Sequence, residues 1–401
     1  MNIIGIVCEY NPFHLGHEYH INETRRMLGE NCPVVAVMSG DFVQRGDAAV
    51  FSKFARAEAA CRCGADLVME LPLPWALSSA EGFAHGAVSL LNRAGVTHLS
   101  FGSELGESEP LEELAEILAS DEINDEIKTQ LKKEPSLSYA AAREIVLKSK
   151  AGNKAELLRL PNNILAAEYL KAIRKLASDI KPVAVRRTGS GHDATGNIGP
   201  KSAFELRNMI LKGEDIREFI PKNAAEVFMK ESDEGRILDR KILDTAVMSR
   251  LRMFNEEYFC SLPDASEGLG SRIYSAVRNE GSLDEVCAAA KTKRYALTRL
   301  RRVCMCAALG LRNGMKTAEP PYARVLAANE RGCSLLRDMC NKNSTPVITK
   351  AAAVNKLSEE CRQVFACGAS AHDFYVLCRK AENQRSGGMD WKTSPKIVKN
   401  I

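Results

Sequence analysis

Short apolar runs, most of them β-branched, recur through the first half of the chain at Ile3–Val7, Pro33–Met38, Asp66–Met69, Val96–Phe101 and Pro182–Val185. Between the first four lie segments with helical spacing of apolar positions, near His17–Leu28, Ser52–Cys63 and Ser78–Arg93. Continuous apolar strands belong to sheets covered on both faces, and strands alternating with amphipathic helices run parallel. The pattern predicts an α/β fold built on a doubly wound, Rossmann-like parallel sheet. Ligands of such sheets lie beyond the carboxyl ends of the strands. Those ends fall at 8–17, 39–41, 70–75, 101–104 and 186–187, where most polar candidates of this half also fall.

The fourth and fifth strands are separated by helix-forming stretches of mixed charge, Leu111–Leu118, Glu122–Lys133 and Tyr139–Ser149, expected to lie over the sheet. Asn162–Lys175 forms a further amphipathic helix, with Leu165, Tyr169 and Ile173 on one face. From Ala224 to Arg312 the pattern is helical throughout, and Pro320–Pro321 marks a boundary. The remainder is mixed, with a strand at Pro346–Ile348, helices at Ala351–Phe365 and Ala371–Ala381, and a poorly ordered tail after Arg385. Three units are therefore expected: 1–215, a catalytic sheet domain; 216–318, a helical region; and 319–401, a small α/β domain.

With 401 residues, 45% of them hydrophobic, the chain can bury a large core. A net charge of +4 allows a nucleic-acid partner only through a local patch. The first residues run straight into a strand too short for a secretory h-region, and no stretch is long enough to span a membrane. The cysteines pair as C-x-C, at Cys61/Cys63 and Cys304/Cys306, without a complementary histidine cluster. Reduced thiols, no metal cage and a cytoplasmic location are expected.

The chemistry concentrates after the first strand. Glu9–Tyr10–Asn11–Pro12–Phe13 makes a turn, and His14–Leu15–Gly16–His17 then opens a helix. The first N–H groups of a helix have no partners and carry the positive end of its dipole, so they attract anions. Imidazoles placed there can donate to phosphate oxygens. No G-x-x-x-x-G-K-[ST] run is present, which excludes ordinary P-loop chemistry. His20 lies one turn beyond His17, while His85, His98, His192 and His372 are expected to be structural.

This strand, turn and H-x-G-H sequence resembles the nucleotidylyltransferase superfamily, in which the two histidines contact ATP phosphates. The resemblance assigns that role to His14 and His17. The superfamily's second signature, I-S-S-T-x-I-R, is matched by Ser202–Arg207. Ala203 and Phe204 there replace two hydroxyl residues. Ser202 can cap the helix and meet phosphate, and Arg207 can clamp pyrophosphate.

Further blocks narrow the resemblance: Gly5–His17, Met38–Gly46, Glu70–Pro72, Ser79–Ala84, Phe101–Glu104 and Pro161–Ala166, then more thinly Lys291–Tyr295 and Pro321–Leu326. Together they resemble the tRNA(Met) cytidine acetate ligase family. The resemblance implies that acetate is activated by ATP to acetyladenylate. The acetyl group then passes to the N4 amine of the wobble cytidine of elongator tRNA(Met). It implies an ATP cradle of Val7, Cys8, Glu9, Tyr10, Asn11, Pro12, Phe13, His14, Leu15, Gly16, His17, Glu18, Tyr19 and His20. Gly102, one of Asn162 and Asn163, and Arg187 complete it, with magnesium arriving on ATP.

Asp41, at the end of the second strand, can orient the amine or accept its proton, or else fold back as a turn residue. Asp47 carries a weaker version of the same argument. Arg45 or Lys53 can bind acetate or phosphate. For RNA, the run from Lys291 offers Lys293, Arg294, Arg301 and Arg302, with Arg294, Thr298, Arg301 and Arg302 on one helical face and Tyr295 placed to stack. The alternative is an adenylyltransferase for a small cofactor precursor with no RNA substrate, and more remotely an RNA-binding protein on a degenerate scaffold.

Overall fold

The structure is a computed structural model that describes residues 1–134, 136–187, 201–342 and 345–399. His192 lies outside the described residues. Five strands of the expected sheet form in place: β1 (Ile4–Cys8), β2 (Val34–Ser39), β5 (Leu67–Leu71), β6 (His98–Ser103) and β7 (Lys181–Arg186). A small hairpin of β3 (Phe42–Val43) and β4 (Asp47–Ala48) lies between β2 and β5 in the chain.

All five pair in parallel, in the order β5-β2-β1-β6-β7. Residues of β2 explain why the run is apolar at every position. Val35 and Val37 enter one core with helices Ala80–Arg93 and Pro161–Lys175, while Val34, Ala36 and Met38 enter another with helices Leu15–Leu28 and Lys53–Arg62. Both faces are dry, so alternation would leave polar groups buried. The helices expected over the sheet form at Glu109–Ala119, Asp121–Lys133 and Tyr139–Ala151, burying Leu111, Leu114, Ile123, Ile127 and Val146 in the first of these cores.

The chain leaves β1 towards β2 and β5, then returns to β6 and β7 on the other side. β1 and β6 are neighbours, so the order reverses between them. A crevice opens at the carboxyl ends of two such strands.

Helices from Arg240–Arg252 to Leu297–Leu309 enclose a third core around Leu243, Val247, Ile273 and Val303, and Phe42 of the hairpin packs into it. Three expectations for the C-terminal part are corrected. A fully buried strand not foreseen, β8 (Ala323–Ala328), pairs antiparallel with β5; the strand expected at Pro346–Ile348 forms as β9 (Val347–Ile348), and it and β10 (Lys396–Ile397) pair parallel with β8. The two expected helices are a 3-10 turn, Ala351–Lys356, and one long helix, Glu359–Leu377. Within 386–399 the tail is structured: it forms a helical turn at Met389–Lys392 and buries Asp390 completely. Among the described residues no helix is long and apolar enough to cross a membrane.

Candidate active site

The turn after β1 positions the two histidines. Tyr10 takes a φ of 45°, a left-handed conformation uncommon outside glycine. Its ring sits 4.9 Å from that of His17, and Phe13 supports both from below.

His14 is the N-cap of helix Leu15–Leu28, and its Nδ1 accepts the Gly16 N–H at 3.0 Å. His17 reaches back, its Nδ1 accepting the His14 N–H at 3.2 Å. The motif is thus a capping box built from imidazoles instead of a hydroxyl and a carboxylate. The rings stack 3.8 Å apart. A neutral imidazole that accepts at Nδ1 carries its proton at Nε2. Burial, reinforced by Arg187 and Arg207, lowers the His14 pKa to about 4, and burial with His14 and His20 beside it holds that of His17 well below its ordinary value. Both rings are neutral near pH 7, and each keeps an Nε2–H as a fixed donor. Gly16 has a steric role: a Cβ there would lie 2.9 Å from Cε1 of the His14 ring.

These rings line a cavity of about 520 Å³ at the reversal between β1 and β6. Val7, Cys8, Glu9, Tyr10, Asn11, Gly16, Tyr19, His20, Gly102, Asn162, Arg187, Ser202 and Arg207 line it as well. Pro12, Phe13, Leu15 and Glu18 do not. The two asparagines differ in placement. Asn162 borders the cavity and donates to Glu104 at 2.8 Å, whereas Asn163 is wholly buried, donating to the Leu157 carbonyl and accepting from Ser103.

At Gly102 a Cβ would meet the aliphatic stem of Arg187 at 3.3 Å, so the glycine lets that arginine lie across β6. His20 shares a 2.7 Å hydrogen bond with Ser100. Ser202 caps its helix as expected, in a second capping box with Glu205, and Arg207 donates to the Asn11 carbonyl at 2.8 Å. Phe204 is 64% exposed, with the Arg207 guanidinium 5.9 Å from its ring centre.

Sequence reasoning missed Lys201 as a lining residue, favoured Arg187 over its neighbour Arg186, and left Arg45 open between two ligands. The lining carries five basic side chains, Arg45, Arg186, Arg187, Lys201 and Arg207, against the carboxylates Glu9 and Glu205, a balance suited to a polyphosphate. Arg56 was also missed. It is fully buried, and its guanidinium holds the carbonyls of Glu9, Ser39, Gly40 and Phe51, tying together the ends of β1 and β2. No local sequence pattern marks an arginine whose partners are all backbone.

Three expectations are corrected. Asp41 does not reach the cavity: it is buried, one oxygen accepting the Lys53 N–H at 2.8 Å and the other bonded to His372 at 2.7 Å. Burial pushes its carboxyl up, but His372 and Lys53 outweigh that and hold it well below the usual range. Lys53 does not reach the cavity either, because its ammonium is closed between Glu70 and Asp390. Asp47 is paired with Arg240 through both oxygens.

The RNA-facing run also changes. Its helix starts only at Leu297, so Arg294 is not on it, and Tyr295 is buried with its hydroxyl on the Glu267 carbonyl. Arg302 is buried beside Asp264, and Arg301 pairs with Asp284. Lys293 and Arg294 remain exposed.

The family model for the HIGH Nucleotidyl Transferase matches residues 1–390. Curated relatives named tRNA(Met) cytidine acetate ligase include that of Clostridium kluyveri, 37% identical over the full length of both chains. The relative from Alkaliphilus metalliredigens is 34% identical, again over both full lengths. This chain belongs to the tRNA(Met) cytidine acetate ligase family. A crystal structure of Thermotoga maritima TmcAL bound with alpha-thio ATP matches the whole chain with a TM-score of 0.91 at 32% identity, and an apo form gives 0.92. Both cover all of either chain, so the family fold includes the C-terminal strands as well as the parallel sheet.

Proposed function

We propose that the protein activates acetate with ATP and transfers the acetyl group to the wobble cytidine of elongator tRNA(Met), yielding N4-acetylcytidine, AMP and diphosphate. The observation that carries this reading is the pair of neutral imidazoles, each with its proton at Nε2, lining a basic cavity in a chain of this family. An acetate oxygen attacks the α-phosphorus, building negative charge on the phosphoryl oxygens and the departing diphosphate. Fixed donors suit that task because they need no reorganisation as the charge develops. His14 and His17 are assigned to the phosphoryl oxygens, and Arg187, Lys201 and Arg207 to the outer phosphates. Asn162 and Gly102, both lining the cavity, are assigned to the adenosine. Magnesium enters on the ATP phosphates as part of the substrate.

Acetyladenylate kept in a closed cavity is protected from water until the amine arrives. The wobble base must leave its stack to reach it. The exposed Lys293 and Arg294, together with Arg301, are assigned to RNA phosphates, and residues 216–318 to the RNA-holding unit. The thirteen free thiols suit a cytoplasmic setting.

The test is incubation with ATP, labelled acetate and unmodified tRNA(Met). Label in the tRNA with one AMP formed per acetyl is expected, and ATP turnover that ignores acetate would overturn the reading. Gly16→Ala supplies a second test. The added methyl displaces the His14 ring, and a shift of this kind is expected to lower acetate-dependent ATP–pyrophosphate exchange about 10²-fold while leaving the unfolding temperature nearly unchanged.

A further inference from the structure

Acetyl transfer to an amine releases a proton, and Asp41, the carboxylate suggested for it, lies buried outside the cavity. Resting on the acetate-ligase reading, we propose that Glu9 takes that proton, held in position by the hairpin of β3 and β4.

Glu9 follows β1 directly and lines the cavity. Its Oε1 accepts the Gln44 N–H at 3.0 Å, and its carbonyl is held by Arg56. Oε2 has no hydrogen-bond partner among the described residues. The carboxylate is thus fixed at one oxygen and available at the other.

Gln44 sits at the tip of the hairpin, whose far side is fastened to the helical region. Gly46, at a φ of 76°, lies so close to helix Leu297–Leu309 that a Cβ would fall 2.5 Å from the Arg302 nitrogen. Asp47 grips Arg240 at the start of helix Arg240–Arg252. Glu9 is therefore tied, through one short hairpin, to the unit assigned to RNA, and the amine arriving from that side meets it.

The step balances. The N4 lone pair attacks the acetyl carbonyl carbon, the C–N bond forms, and the C–O bond to phosphate breaks with AMP taking the electron pair. The N4 proton passes to Oε2 of Glu9 and then to water. Arg45 from the hairpin and Arg207 from helix Ala203–Lys212 face the same carboxylate, as do Arg56 from helix Lys53–Arg62, Tyr169 from helix Pro161–Lys175 and Cys8 alongside. Burial raises the Glu9 pKa, and the Gln44 N–H with Arg207, Arg45 and Arg56 limits the rise. These cations also offset the repulsion between Glu9 and acetate in the first step.

Glu9→Gln tests the proposal, because glutamine keeps an oxygen for the Gln44 N–H. Two rates are compared with wild type: acetate-dependent ATP–pyrophosphate exchange, and single-turnover transfer of labelled acetyl to tRNA(Met). Transfer is expected to fall about 10²–10⁴-fold, the usual contribution of a positioned base, and at least tenfold more than exchange. The acid limb in the pH profile of transfer should disappear, and Glu9→Asp should restore part of the rate. Equal losses in both rates with the acid limb kept, or unchanged transfer, would overturn the assignment. Absence of acetate-dependent exchange in the wild type would instead overturn the acetate-ligase reading, and this proposal with it.

Discussion

Alanine at His14 or at His17 is expected to lower acetate-dependent ATP–pyrophosphate exchange by about 10²–10³-fold, the cost of removing one fixed donor from a site where charge develops. Each ring has two jobs, and they can be separated. Nδ1 caps the helix, and losing that acceptor costs about 1 kcal/mol of stability. Nε2–H is the donor to which the proposed chemistry is assigned. His14→Asn supplies a favourable N-cap, and His17→Gln supplies an amide acceptor at the third helical position for the N-cap N–H. Both variants should recover the thermal stability of the wild type and still fail in exchange. Filter binding of tRNA(Met) should be unchanged in all four. Full exchange in both alanine variants would remove the histidines from the reaction.

The capping box also shows what sequence alone made legible here. The spacing H-x-G-H after an apolar run announced a helix start with two imidazoles, and its place at the carboxyl end of a parallel strand put it at the ligand-binding edge. The role of the glycine was not legible, since it depends on where the His14 ring folds. Strands such as β2 stood out because Val34 to Met38 enter cores on both faces, leaving no polar position to blur the run.

Elsewhere the missing information lay far along the chain. Asp41 looked available because its partner, His372, is 331 residues away. Strand Ala323–Ala328 was overlooked because Arg324 interrupts it, and an arginine at a buried strand position is tolerable only with the carboxylates that meet it. Tyr295 failed as a stacking residue because helical spacing was counted from Arg294, whereas the helix begins at Leu297. Helix Glu359–Leu377 runs through Gly368, which has no neighbour for a Cβ. The burial of Phe365, Ala369, His372 and Tyr375 carries it across a residue that favours a break.

Asp390→Ala should be the most destabilising single change of a charged residue, at about 3–5 kcal/mol, because it leaves buried charge uncompensated. Lys53 and Arg324 meet Glu70 and Asp390 in one cluster, two cations against two carboxylates. Lys53 is 1% exposed and Asp390 0%, so water cannot stand in for the lost partner. Glu70 lies directly opposite Arg324 across β5 and β8, and Asp390 closes over both from the tail. The loss is read as a lower urea midpoint by circular dichroism.

Replacing both members, Lys53→Met with Asp390→Leu, leaves Arg324 and Glu70 as a neutral pair and should return part of the stability. An equal or larger loss in the double variant would show that shape rather than charge balance holds the tail. Acidity separates the two as well. Burial pushes the Asp390 carboxyl up, but Lys53 and Arg324 outweigh it and hold the pKa below its ordinary value. A carboxyl depressed in the folded state contributes stability above its unfolded pKa of about 3.9, and that contribution is lost as pH falls below it. The gap between wild type and Asp390→Ala should therefore narrow from pH 7 to pH 3. The same cluster holds the first residue of helix Lys53–Arg62, whose N–H fixes Asp41, so a tail expected to be loose braces the sheet edge beside the cavity.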